Sequence, residues 1–195
     1  MTTKLNDKKG VKNVVAFGAS SSANSINRTL ALYAASQIKD VEVVALDLNA
    51  YEMPIYSQDR ENESGIPQLA LDFLKQIGEA DGVIVSLAEH NGAYSAAFKN
   101  ILDWASRARK KMDVWQNKPM LLMATSPGGR GGATVHGLAK SLFPHMAAKI
   151  SGEMILPGYY DNFDVKKGIT NSTLQSDFEK ALTLFETAVF ASEVE

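Results

Sequence analysis

Short β-branched runs alternate five times with longer stretches at helical spacing, and no other feature restricts the fold of this chain as strongly. Val11–Gly18, Val41–Leu46, Asp81–Leu87, Pro119–Thr125 and Ile150–Leu156 read as strands. Ile26–Ile38, Pro67–Ile77, Tyr94–Arg109, Ala133–Ala148 and Thr173–Ala191 read as helices, with Pro67 suited to a first turn. The stretch from Pro54 through Asp59 to Gly65 reads as a polar loop. Strand followed by helix, repeated in this way, calls for a parallel sheet with helices on both faces. Right-handed crossovers then wind it into a three-layer sandwich.

Five units rather than six favour the strand order 2-1-3-4-5, the flavodoxin-like α/β arrangement. The 195 residues suit one such domain over 11–195, preceded by a polar tail over 1–10. Twenty basic residues against twenty-two acidic ones leave a net charge of −2, which gives no global field for nucleic acid or an anionic membrane. The chain has no cysteine, so thiol catalysis, disulfides and thiolate metal sites are excluded, and a reducing cytoplasm is the expected compartment. His90, His136 and His145 lack ligand spacing with carboxylates, and no metal site is expected. His136 and His145 read as ordinary surface or packing residues on the fourth helix.

In a doubly wound sheet, ligands bind beyond the carboxyl ends of the strands where the strand order reverses. Three loops meet there. The first, Gly18–Asn27, holds four serines and two asparagines and no cation before Arg28. At a helix N-terminus, unpaired amides and about half a positive charge favour an anion, and serine hydroxyls add donors. Capping alone would need only one or two such residues. The loop has neither the glycine spacing of a dinucleotide fingerprint nor the lysine of a Walker loop, so a lone phosphate fits it best.

The second loop, Ser86–Tyr94, offers backbone groups, Gly92 for a tight turn, and the flat rings of His90 and Tyr94 for a planar heterocycle. Glu89 reads equally as a surface carboxylate or a favourable charge near the next helix start. The third loop, Thr125–Gly132, carries four glycines that permit close backbone approach to a ligand. Arg130 either pairs with a nucleotide phosphate or faces solvent.

With these residues in view, the chain resembles the NADPH-dependent FMN reductase family, relatives of quinone, azo-dye and chromate reductases. The family's G-S-x-R-x-x-S-x-N loop corresponds to Ala19–Asn27, with Ser22 in the place of the arginine. Its P-E-Y-N corresponds to Ala88-Glu89-His90-Asn91, and its L-K-N-x-x-D-W-x-S-R to Phe98–Arg107. Its serine and glycine-rich turn corresponds to Ser126–Gly132. The resemblance implies that Ser20, Ser22, Ser25, Ile26 and Asn27 hold the phosphate of FMN. It implies further that Ala88, Glu89, His90, Asn91 and Tyr94 line the isoalloxazine, with Ser126 and Gly128 beside it. Trp104 and Asp103 are expected to pack, cap or form an interface rather than catalyse.

The implied activity is a ping-pong oxidoreductase. NADPH or NADH reduces the flavin, and a quinone, azo compound, free flavin or metal oxyanion then takes the electrons. No catalytic acid or base is required of a side chain. The rivals are a flavodoxin-type electron carrier, which the modest net charge disfavours, and a non-redox phosphate-binding protein on the same fold. The resemblance implies pairing, so a homodimer or homotetramer is expected, and Tyr51–Tyr56 reads equally as an interface loop or as a segment buried within the subunit.

Overall fold

A computed structural model describes residues 11–191; the expected tail over 1–10 lies outside the described residues. The chain runs through β1 (Lys12–Ala19), α1 (Ile26–Ser36), β2 (Val41–Ala45), α2 (Gln58–Ser64), α3 (Gln68–Glu79) and β3 (Gly82–Leu87). A small hairpin of β4 (Glu89–His90) and β5 (Ala93–Tyr94) leads into α4 (Ala96–Ala105). After β6 (Pro119–Thr125), α5 (Ala133–Leu142) and β7 (Lys149–Leu156) come a short α6 (Tyr159–Asn162), a second hairpin of β8 (Phe163–Asp164) and β9 (Gly168–Ile169), and α7 (Ser172–Ala191).

The five long strands form one sheet in the order β2-β1-β3-β6-β7, with every neighbouring pair parallel. Counted without the hairpins, this is the expected order 2-1-3-4-5. Period-two alternation divides each central strand between two apolar cores. Val15 and Phe17, Val83 and Val85, and Met120 and Leu122 face α3, α4 and α5, where Phe73, Phe98, Trp104 and, just past α5, Phe143 complete that side. Val14, Ala16, Ile84, Leu121 and Met123 face α1 and α7, where Leu30, Phe178 and Phe185 fill the layer. The buried strands β3 and β6 therefore read as continuous apolar runs, as sheets covered on both faces require.

Several elements depart from the expectations. The polar stretch before Gly65 contains α2, capped by Ser57 accepting from the Arg60 amide and carrying Asp59 and Glu61 in its first turn. It buries no residue, so hydrophobic periodicity carried no sign of it. The third helix starts at Ala96, not Tyr94, because Ser95 caps it by accepting from the Phe98 amide. Its end passes into a 3₁₀ turn over Ser106–Lys110. The fourth helix stops at Leu142, and Pro144 stands in the 3₁₀ turn Phe143–Met146 that follows.

Of the two readings of His136, surface or packing, the structure bears out packing. His136 is buried on the inner face of α5, with Nε2 at 3.3 Å from the Leu122 carbonyl and 3.9 Å from Glu153 Oε2. Burial is the largest influence and lowers its pKa below the ordinary 6.5, outweighing the opposing pull of Glu153 and the Leu122 carbonyl. In the unfolded chain the ring takes up a proton near its ordinary pKa, whereas the folded chain resists. Stability is therefore complete above about pH 6.5 and falls as the pH drops below it, by at most about 1.4 kcal/mol per pH unit. Denaturant unfolding at pH 7.5 and 5.5 checks this: His136→Gln should lose less stability over that interval than the unchanged protein.

Candidate cofactor cleft at the strand ends

The carboxyl ends of β1, β3 and β6 lie side by side, and one buried residue of α1 ties β3 to β6. Asn27, in the first turn of α1, donates from Nδ2 to the Thr125 carbonyl at 3.1 Å. Its Oδ1 accepts from the Thr125 amide at 3.1 Å and from Ser86 Oγ at 2.7 Å. Ser95 adds a further link by donating to the Ala19 carbonyl at 2.8 Å. The register of the three central strands thus fixes where the first, second and third loops stand relative to one another.

Between these loops is a cleft of about 200 Å³. Ser20, Ser22, Asn24, Ser25, Ile26 and Asn27 form its first wall. Ala88, Glu89 and His90 form the second, and Thr125, Ser126 and Pro127 the third. Asn24, Thr125, Pro127 and Tyr160 were not among the residues expected there. Thr125 and Asn24 stand inside the loops already singled out, but the contribution of Tyr160 from beyond β7 has no signal in the local sequence.

The first wall is set up to receive an anion. Ser25 caps α1, its Oγ accepting from the Arg28 amide at 3.2 Å. Ser20 Oγ accepts from the Ser22 amide at 3.1 Å. These hydroxyls keep their own protons for donation outward. The amides of Ile26 and Asn27, at the first two helical positions, have no acceptor among the described residues. Among the described residues, no lysine or arginine lines the cleft. The attraction for a phosphate is therefore carried by neutral donors and the positive end of α1.

The second loop is a hairpin whose corner residues, Asn91 and Gly92, have φ of 52° and 74°. Two successive positive φ values define a type I′ turn, and Asn-Gly is its preferred pair. Asn91 is exposed at the tip of the hairpin, outside the lining of the cleft. Tyr94 differs from the expectation that its ring faces the ligand. It lies over Phe143 at 6.1 Å with an interplanar angle of 9° and meets Phe98 edge-on at 5.8 Å. Burial pushes its pKa up to about 12. Glu89 is neither a free surface carboxylate nor a charge at α4: Oε2 accepts from the Val135 amide at 2.9 Å and so caps α5. The carboxylate thereby clamps the second loop to the third.

The four glycines of the third loop separate into two kinds. Gly131 has φ 59°, and a Cβ there would come within 2.7 Å of Ile155 and 2.8 Å of the Pro157 nitrogen; Gly132 has φ 82°. The fold itself demands both. A Cβ on Gly129 would meet nothing within 4 Å, and one on Gly128 would only touch Ser126 Oγ at 4.0 Å. These two leave open space toward solvent, as a backbone that receives a flat ligand would. Gly128 and Arg130 stand on this loop but outside the cleft lining; exposed Arg130 donates to Thr134 Oγ1 at 2.6 Å.

A larger hollow of about 350 Å³ lies across the first loop, where Ser21, Tyr51, Met53, Ile55 and Ala97 meet. Glu52 adds a carboxylate to its lining and, among the described residues, no residue of the third loop borders it, so position at the switch point rather than volume identifies the cofactor site. The family motif in α4 shapes this second hollow. Asn100 Oδ1 accepts from the Tyr56 amide at 2.9 Å, and its Nδ2 donates to the carbonyls of Met53 and Pro54 at 3.0 and 3.2 Å. Trp104 Nε1 donates to the Pro54 carbonyl at 2.7 Å, while Asp103 pairs with Lys99 at 2.6 Å. The motif works as a mount for the loop after β2.

Comparison with known proteins identifies the family. Residues 12–160 match the NADPH-dependent FMN reductase family. A 2-hydroxy-1,4-benzoquinone reductase from Burkholderia is 31% identical over 134 residues, covering 68% of this chain and 70% of the relative. The quinone reductase of Escherichia coli K12 is 36% identical over 93 residues, 48% of each chain. Among solved structures, the flavoenzyme NAD(P)H:(acceptor) oxidoreductase FerB from Paracoccus denitrificans superposes with a TM-score of 0.72 at 23% identity, covering 91% of this chain and 99% of its own. An FMN-dependent NADH-azoreductase from Bacillus anthracis, in complex with FMN, gives a TM-score of 0.59 at 12% identity over 91% and 98% of the two chains. These two structures share the fold, and the match across the sheet and all three loops settles the relationship: the chain belongs to the NADPH-dependent FMN reductase family.

Proposed function

We infer that this chain, with residues 11–195 as one FMN-binding domain, is an FMN-dependent NAD(P)H oxidoreductase that delivers electrons to small-molecule acceptors. The observation carrying this reading is the pair of free amides at Ile26 and Asn27, which open into a cleft bordered by the two loops that follow β3 and β6. FMN, when bound, supplies the redox chemistry, taking hydride from a reduced nicotinamide and passing electrons onward.

The chain's own residues bind and orient. Ser20, Ser22, Ser25 and the Ile26 and Asn27 amides would hold the phosphate, and the neutral donor set makes affinity only weakly dependent on salt. Ala88, Glu89 and His90 would border the ring on one side, with Asn91 at the hairpin tip above them. Ser126, Gly128 and Gly129 would border it on the other, the glycines leaving the approach open. The Glu89–Val135 bond fixes the separation of these two sides. Tyr94 serves indirectly by seating the hairpin on the core.

We propose quinones as the favoured acceptors, because two of the relatives above are quinone reductases. Azo compounds, free flavins and metal oxyanions are further candidates. Donor and acceptor would use the same open side in turn, and exposed Arg130 would leave Thr134 to meet a nucleotide phosphate of NADPH. A cytoplasmic homodimer or homotetramer is the proposed assembly. Ile55, 77% exposed on the loop mounted on Asn100 and Trp104, is the exposed apolar residue that supports it. No helix among the described residues is long and apolar enough to cross a membrane.

Reconstitution with FMN tests the assignment. Bound-flavin absorption and NADPH- or NADH-dependent reduction of benzoquinone are expected, with parallel double-reciprocal lines. A protein that takes up no FMN contradicts the cofactor, and intersecting lines contradict the alternating use of one face.

A further inference from the structure

We propose that Tyr160 is a phosphate-gripping residue, whose hydroxyl supplies the outer donor that the cation-free first loop lacks. The inference deepens the FMN reading and rests on it. Tyr160 lines the cleft with Ser22, Asn24, Ser25 and Ile26, yet 71% of its surface is exposed. An exposed tyrosine at a cleft mouth needs a reason when everything around it is fixed in place.

The backbone at Tyr160 is held from both sides. The Gly158 amide donates to the Gly128 carbonyl at 3.0 Å, and the Tyr159 amide to the Ser126 carbonyl at 3.1 Å, so α6 is bonded directly onto the third loop. Gly158 enters this turn with φ 52°. The Asn162 side chain donates to the Pro157 and Gly158 carbonyls at 2.9 and 3.3 Å and closes the turn from its far end. The neighbouring Tyr159 is 5% exposed, stacked on Phe163 at 5.0 Å, and its hydroxyl interacts with the side chain of Thr29 on α1. Tyr159 thus fixes α6 against the same helix whose N-terminus forms the phosphate wall. The Tyr160 ring, edge-on to Tyr159 at 5.3 Å, leaves this rigid turn toward that wall.

The chemistry of the wall supplies the motive. Every polar group in its inner part is a neutral amide or hydroxyl, and Ser22 stands where relatives of this chain were expected to carry arginine. A phosphate seated on α1 would keep an outward oxygen unmet by the first loop. A phenol that lines the same cleft offers one further donor, and hydrogen bonds to a charged oxygen are the stronger kind.

The test uses the apoprotein, titrated with FMN and, separately, with riboflavin, which has the same ring and no phosphate, by flavin fluorescence. For Tyr160→Phe, the FMN Kd should rise about tenfold, the loss of one hydrogen bond to a charged group, while riboflavin binding is unchanged. An unchanged FMN Kd overturns the inference. So does equal weakening of both flavins, or weakening in Tyr160→Ala but not in Tyr160→Phe, since either assigns the effect to the ring. If the unaltered protein binds neither flavin, the cofactor assignment fails and this inference falls with it. The exposure of Tyr160 leaves both variants folded.

Discussion

Gly18→Ala should cost the protein its cofactor site and much of its stability in one step. A Cβ at Gly18 would lie 2.2 Å from the Arg28 amide nitrogen, 2.6 Å from Arg28 Cα and 2.7 Å from the Asn27 carbonyl carbon. All three are backbone atoms in the first turn of α1, so no rotamer change relieves the contact. The turn must move away from β1, and the Asn27 bonds to Ser86 and Thr125 move with it. Overpacking in a flexible core costs about 1–3 kcal/mol; against backbone, a loss above about 3 kcal/mol is expected. Denaturant midpoints measure the loss, and flavin titration should show FMN uptake abolished. Gly129→Ala is the matching control, because its Cβ meets nothing within 4 Å. Its midpoint should stay within about 0.5 kcal/mol of the unaltered protein. A Gly18→Ala protein of full stability would show that α1 approaches β1 less closely than the structure has it.

Asn27→Leu is expected to have the second largest effect. The side chain is 3% exposed and satisfies three buried partners: the Thr125 amide, the Thr125 carbonyl and Ser86 Oγ. An isobutyl group of similar size fills the space and leaves all three without partners. Each such group costs about 1–3 kcal/mol, so a total near 4 kcal/mol is expected. Asn27→Asp separates stability from binding. It keeps the two acceptor bonds but loses the donor to the Thr125 carbonyl and sets a carboxylate beneath the phosphate wall. FMN affinity should fall at least tenfold, about 1.4 kcal/mol, near pH 7 and recover in part as the acid form is populated. Flavin titrations at two pH values measure this. Unchanged binding by the aspartate variant would remove the phosphate from the end of α1.

The Asn27 case shows how far the sequence could be read. Its presence in a serine-rich turn at a helix start marked it as a phosphate contact. Only the fold shows its amide consumed by β3 and β6, which leaves its backbone N–H, not its side chain, for an anion. The α4 motif behaved similarly. Lys99–Arg107 was the most specific match in the chain, and the positions of Asn100 and Trp104 four apart on one helix face were readable. That this face mounts the Met53–Tyr56 segment was not. Tyr94 misled because a tyrosine beside a candidate ring site reads as a stacking group until its neighbours are known. The neighbours are Phe98, one turn into α4, and Phe143, forty-nine positions along. The hairpin before it was foreshadowed by Asn91-Gly92, but strands of two residues carry no periodicity to detect.

By itself the sequence determined the strand and helix alternation, the parallel sheet and its order, and the three loops that meet at the switch point. Those follow from local apolar periodicity and from the chirality of crossovers, which act over tens of residues at most. The tertiary structure alone decided which polar groups stay free. Glu89 is spent on capping α5, Gly131 and Gly132 are spent on the turn, and Tyr160 arrives from beyond β7 to face α1. A hydrogen bond or a cleft wall is a property of two segments at once. Whether a donor is available to a ligand depends on acceptors that the chain brings up from far along its length.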